Sequence, residues 1–94
     1  MNFVFIMTDT QNRDMVGAYG NPIVDTPNLD RLAAEGVRFD RAYTSCPLCT
    51  PARSAIFSGT HPIVNGAWCN NVPPYGTFPL MGTIFQHYGY RVAY

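Results

Sequence analysis

The sequence predicts an α/β fold, with a mostly parallel central sheet flanked by helices. Three observations carry this. Residues 3–8 (Phe-Val-Phe-Ile-Met-Thr) form an uninterrupted apolar run of strand length, as buried parallel strands do. Residues 26–36 and 80–89 carry apolar residues at helical spacing between recognisable caps. Residues 37–43 alternate apolar and polar, the mark of a half-buried strand.

The first run ends abruptly in Asp9-Thr10-Gln11-Asn12-Arg13-Asp14. Open α/β sheets bind ligands beyond the carboxyl ends of their strands, which singles out Asp9, although a carboxylate there also simply starts a turn. A glycine-punctuated loop over 15–22 follows. Thr26 then caps a helix, Pro27 takes its first position, Leu29, Leu32 and Ala33 line one face, and Gly36 closes it. The alternating strand at 37–43 leads through Cys46-Pro47-Leu48 to Cys49.

Cys49-Thr50-Pro51-Ala52-Arg53 reads as a cysteine at the mouth of a helix. Thr50 is a suitable N-cap, Pro51 suits the first helical position, and Ser58-Gly59 stops the helix. Free N–H groups and the dipole favour an anion at that end, and Arg53 lies one turn along. The same residues also describe an ordinary helix start beside an inert small cysteine. Cys46 and Cys49 spell C-x-x-C, the spacing of a thiol–disulfide exchanger or half a zinc site. Neither use gives Pro51 or Arg53 a purpose, and Cys69, His61 and His87 fall at irregular spacing for further ligands.

Residues 59–66 read as a turn-rich loop in which His61 is solvated. The stretch 68–79 is loop, with a turn at Pro73-Pro74-Tyr75-Gly76. Leu80, Met81, Ile84, Phe85 and Tyr88 share a face of a last helix ended by Gly89, with His87 complementing the dipole. A further strand begins at Tyr90.

Length and charge limit the options. Ninety-four residues make one small domain whose independent core is marginal. Six acidic residues balance six basic ones, so no nucleic acid partner and no membrane surface is indicated. All six basic residues are arginines. The leading apolar run has no basic region or cleavage site before it and is too short for a membrane span. With Met1 as the natural start, these features predict a cytoplasmic protein. Three cysteines are too few for a disulfide scaffold.

The pattern Cys49-x-Pro51-x-Arg53 with Ser58-Gly59 resembles the signature of the sulfatases, and so do Thr8-Asp9-x-Gln11 and Thr26-Pro27-Asn28-Leu29-Asp30-Arg31-Leu32-Ala33. The resemblance extends along essentially the whole chain. It implies the N-terminal portion, residues 1–94, of an alkaline-phosphatase-like sandwich, incomplete as a catalytic domain. It also implies that Cys49 is converted to formylglycine by a formylglycine-generating enzyme. As the hydrated aldehyde, Cys49 would attack the sulfur of a small-molecule or carbohydrate sulfate ester and expel the alcohol; loss of the proton from its second hydroxyl would then reform the aldehyde and release the sulfate. Asp9 and the converted Cys49 would ligate Ca2+ or another divalent cation, and Arg53 would stabilise the charge around them.

Thr10 stands where the family usually has a second acid, and a hydroxyl is a weaker ligand for a hard cation than a carboxylate. That difference raises a phosphonate monoester or phosphodiester hydrolase of the same superfamily as the alternative. A silent binding module is the reading if Cys49 stays unconverted. The family's sulfate-contacting lysines have no counterpart in a chain without lysine.

Overall fold

The computed structural model describes residues 1–75 and 78–94. The chain divides into two compact units, Met1–Ala42 and Tyr43–Tyr94. Among the described residues all regular structure is helical.

The first unit holds two single-turn 3-10 helices, Arg13–Met15 and Gly17–Tyr19, and α1, Pro27–Glu35. α1 starts and stops where the sequence predicts, with Thr26 before it and Gly36 after it. Thr26 does not cap its own helix, however. Its hydroxyl oxygen accepts the Gly17 N–H at 2.8 Å and its hydroxyl donates to Asp30 Oδ1 at 3.0 Å. The same Asp30 oxygen accepts the Ala18 N–H at 2.6 Å. Thr26-Pro27-x-x-Asp30 is therefore a clamp that holds the 15–22 loop against the first turn of α1. Gly17 must be small at this point, because a Cβ there would lie 2.6 Å from Asp30 Oδ2. Tyr19 is set similarly: its hydroxyl donates to the Phe39 carbonyl, and the Arg13 and Arg38 guanidinium groups lie 5.6 and 5.3 Å from its ring centroid.

The second unit contains α2 (Cys49–Ser58), α3 (Pro62–Asn65) and α4 (Met81–His87). α2 begins earlier than its sequence indicates. Leu48, in extended conformation, is the N-cap and Cys49 the first helical residue, with the Ala52 N–H bonded to the Leu48 carbonyl at 3.0 Å. Thr50 is thus not the cap, and Pro51 sits third. Proline is still tolerated there, because the first-turn N–H groups have no partner inside the helix. At the other end Gly59 takes the predicted left-handed conformation, φ 65°.

α3 occupies part of the stretch read as loop. Its signals are local, Pro62 at the first position and Gly66 at φ 79° after the last. α4 ends in the expected left-handed glycine, Gly89 at φ 83°. The Tyr90 N–H returns to the Phe85 carbonyl and the Gly89 N–H to the Gln86 carbonyl, both at 3.0 Å. The Phe85 and Tyr90 rings pack edge to face at 5.3 Å beneath that turn, the apolar contact that accompanies such a cap. The turn expected at 73–76 ends outside the described residues.

Residues 3–8, 37–43 and 90–94 are not strands among the described residues. A β-ladder needs a neighbour to take its N–H and C=O groups, and none forms among the described residues. Their apolar side chains lie open, Val4 85%, Ile6 77% and Val37 79% exposed. The helices draw their signals from adjacent residues and form. A parallel sheet draws its stability from distant ones.

Candidate functional site

Cys49 is the exposed first residue of a ten-residue helix. Two features of the local sequence put it there. Leu48 is extended and turns the chain into the helix, and Pro51 is buried beneath the first turn. The Cys49 side chain therefore leaves the end of α2 at which backbone N–H groups point outward and negative charge is favoured. Arg53, half-buried and engaged with its surroundings, stands one turn further along. A nucleophile, a helix dipole and a guanidinium share one helical turn, an arrangement suited to an anionic ester.

Sequence reasoning passed over two residues that organise this helix. Asn70 reaches from twenty positions away, and its Oδ1 accepts the Thr50 N–H at 3.0 Å. Asn65 is fully buried at the other end. Its amide donates to Ser58 Oγ at 3.3 Å and to the Thr60 carbonyl and hydroxyl oxygens at 3.2 Å each. Its Oδ1 accepts the Ala67 N–H at 3.0 Å, and its carbonyl accepts the Tyr75 N–H at 2.6 Å. Ser58 also donates to the Ser54 carbonyl at 2.6 Å and lies 2.7 Å from the Thr60 hydroxyl. Ser58-Gly59 is thus more than a helix stop, since the serine anchors a polar knot that fixes the exit of α2. No spacing rule would have found Asn65 or Asn70, because asparagine in a glycine-rich loop reads only as a turn former.

His61 accepts the Ile63 N–H on Nδ1 at 3.4 Å, which makes it the N-cap of α3. His87 closes α4 with its ring against Tyr88. Cys46, Cys49 and Cys69 are all free thiols.

In the first unit, Asp9 is exposed and accepts the Thr10 hydroxyl on Oδ1 at 3.2 Å. Thr10 itself sits at φ 56°, a left-handed conformation that a β-branched residue rarely adopts. As a hard oxygen donor in a polar setting, Asp9 fits a divalent cation. Among the described residues no group of three or more His, Cys, Asp or Glu comes together to complete a shell. Exposed Cys49 fits modification by another protein. No helix among the described residues is long and apolar enough to cross a membrane.

Comparison with known proteins is consistent along the whole chain. The family described as Sulfatase matches residues 1–94. An uncharacterized sulfatase, YidJ, from Escherichia coli (strain K12) is 48% identical over 93 residues, which is 99% of this chain and 19% of the relative. A Formosa agariphila protein named as an ulvan-active sulfatase is 39% identical over 99% of this chain and 18% of its own length. Human N-acetylgalactosamine-6-sulfatase is 43% identical over 70 residues, covering 74% of this chain and 13% of the relative. The chain thus spans about a fifth or less of the length of these relatives. No solved structure gives a significant match.

Proposed function

The chain belongs to the sulfatase family, and from that premise we propose that it carries the nucleophile-bearing part of a sulfuric ester hydrolase. The observation that carries this is the exposed Cys49 at the first position of α2 with Arg53 one turn behind it. A formylglycine-generating enzyme would convert Cys49, and the aldehyde would supply an oxygen nucleophile that a thiol cannot. A divalent cation, with Asp9 proposed as one of its ligands, would supply positive charge against the ester's oxygens. The α2 N-terminus and Arg53 hold negative charge beside residue 49. The Asn65 knot and Asn70 keep both ends of that helix in place.

Two of the relatives are named ulvan-active sulfatase and N-acetylgalactosamine-6-sulfatase. On that basis the substrate proposed here is a carbohydrate sulfate ester. Residues 3–8, 37–43 and 90–94 are proposed to be strands of a mostly parallel, alkaline-phosphatase-like sheet, which would cover their exposed apolar side chains.

Thr10 supports one second reading. A hydroxyl in place of an acid lowers the negative charge beside Asp9, which suits an aryl phosphonate or phosphodiester as substrate. Turnover of aryl sulfate, aryl phosphonate and phosphodiester by the full-length enzyme decides between them. Preference for sulfate by tenfold or more in kcat/KM supports the first reading, and the reverse order supports the second.

A further inference from the structure

We infer that Asn70 is a positioning residue for residue 49, acting through the peptide group that joins Cys49 to Thr50; the inference rests on the role proposed above for Cys49. The first N–H groups of a helix have no partner within it, and a side-chain oxygen at the N-cap usually takes one of them. Here the N-cap is Leu48, which has no such oxygen. The missing acceptor comes instead from Asn70, whose Oδ1 takes the Thr50 N–H at 3.0 Å. That N–H belongs to the planar unit that includes the Cys49 carbonyl. Fixing the plane fixes the backbone from which the Cys49 side chain departs.

Asn70 is itself held. It stands at the corner of a turn closed by the Val72 N–H on the Cys69 carbonyl, with Asn71 at φ 66°. The loop carrying this turn is pinned at both ends by Asn65, through the Ala67 N–H and the Tyr75 N–H. The Trp68 indole N–H closes on the Tyr75 hydroxyl at 3.4 Å. Because Asn65 also binds Ser58 and Thr60 at the exit of α2, one loop spans both ends of the helix. The entry of α2, where the chemistry sits, is thereby referred to its buried exit. Without Asn70 the first turn is free to fray, and small displacements of a reacting group are expensive in rate.

The experiment uses the full-length enzyme with residue 49 converted, as wild type, Asn70→Ala and Asn70→Asp. Hydrogen exchange at the Thr50 amide is read beside kcat and KM on an aryl sulfate. The expected result for Asn70→Ala is faster Thr50 exchange and a roughly tenfold fall in kcat with KM within about twofold. Asn70→Asp keeps an acceptor oxygen and adds a negative charge that suits a helix N-terminus, and it restores both readouts. A merely structural residue would change unfolding without this kcat-only loss or its rescue. Unchanged Thr50 exchange and kcat in Asn70→Ala, a loss confined to KM, or no rescue by Asn70→Asp would each overturn the proposal. If the wild type hydrolyses no sulfate ester, the functional reading fails separately. Thr50 exchange and the alkylation rate of unconverted Cys49 then decide the positioning role, which is overturned if Asn70→Ala changes neither.

Discussion

Replacing Asn65 by alanine should destabilise the protein by about 2–4 kcal/mol, and the structure shows where the loss comes from. Asn65 is wholly buried, and so is Ala67, whose N–H it accepts. Removing that acceptor leaves a buried donor without a partner, at about 1–3 kcal/mol. The Ser58 and Thr60 hydroxyls lose less, because they remain 2.7 Å apart and bond each other. The void left by the amide adds about another kcal/mol. Asn65→Asp separates the terms. It keeps the Ala67 bond but sets a carboxylate oxygen against the Thr60 carbonyl, which Asn65 Nδ2 now meets at 3.2 Å. It should therefore also destabilise, with the sign set by repulsion and not by the orphaned N–H. The assay is urea unfolding of the full-length enzyme, comparing midpoints at unchanged slope. A loss below about 0.5 kcal/mol for Asn65→Ala would refute the claim that this knot holds the exit of α2.

Other outcomes follow from the same geometry. Asp9→Ala should weaken calcium binding in a titration of the full-length enzyme, whereas Asp14→Ala should not. The Asp14 carboxylate is paired with Arg13 at 3.4 Å in an exposed setting, and equal losses would mean the wrong carboxylate has been chosen. Thr26→Val should cost about 1–2 kcal/mol in chemical denaturation, because the Gly17 N–H and Asp30 each lose a partner; a neutral result would remove the clamp from the account. Gly66→Ala should cost about 1–2 kcal/mol by the same measurement. Its φ of 79° strains any side chain, and a Cβ would meet the Tyr75 ring, which is exposed enough to swing partly aside.

What was legible in the sequence was what is decided locally. Thr26-Pro27 and Gly36 bracket α1 as expected, Gly59 ends α2, and Gly89 ends α4. Cys49 and Arg53 fall within one turn of α2 because their order along the chain dictates it. α2 starts two residues before the entry that Thr50-Pro51 signals. Thr50 has the chemistry of a cap, but its N–H is taken from across a loop by Asn70, a partner no local rule supplies. The role of Asn65 appears only when residues 58, 60, 67 and 75 are brought around it. The segments 3–8 and 37–43 show the converse limit. Their patterns state what they would bury, yet pairing depends on neighbours far away in sequence, and they stand exposed here.

Cys49 is proposed as the precursor of the nucleophile in a sulfuric ester hydrolase. The most direct test is peptide mass mapping of the full-length enzyme made beside a formylglycine-generating enzyme, with aryl sulfate turnover measured on the same sample and on Cys49→Ala. The account predicts the aldehyde's mass loss on the peptide containing Cys49 and on no peptide carrying only Cys46 or Cys69, turnover in proportion to the converted fraction, and none in Cys49→Ala. Turnover that persists in Cys49→Ala, or conversion at another cysteine, would contradict it.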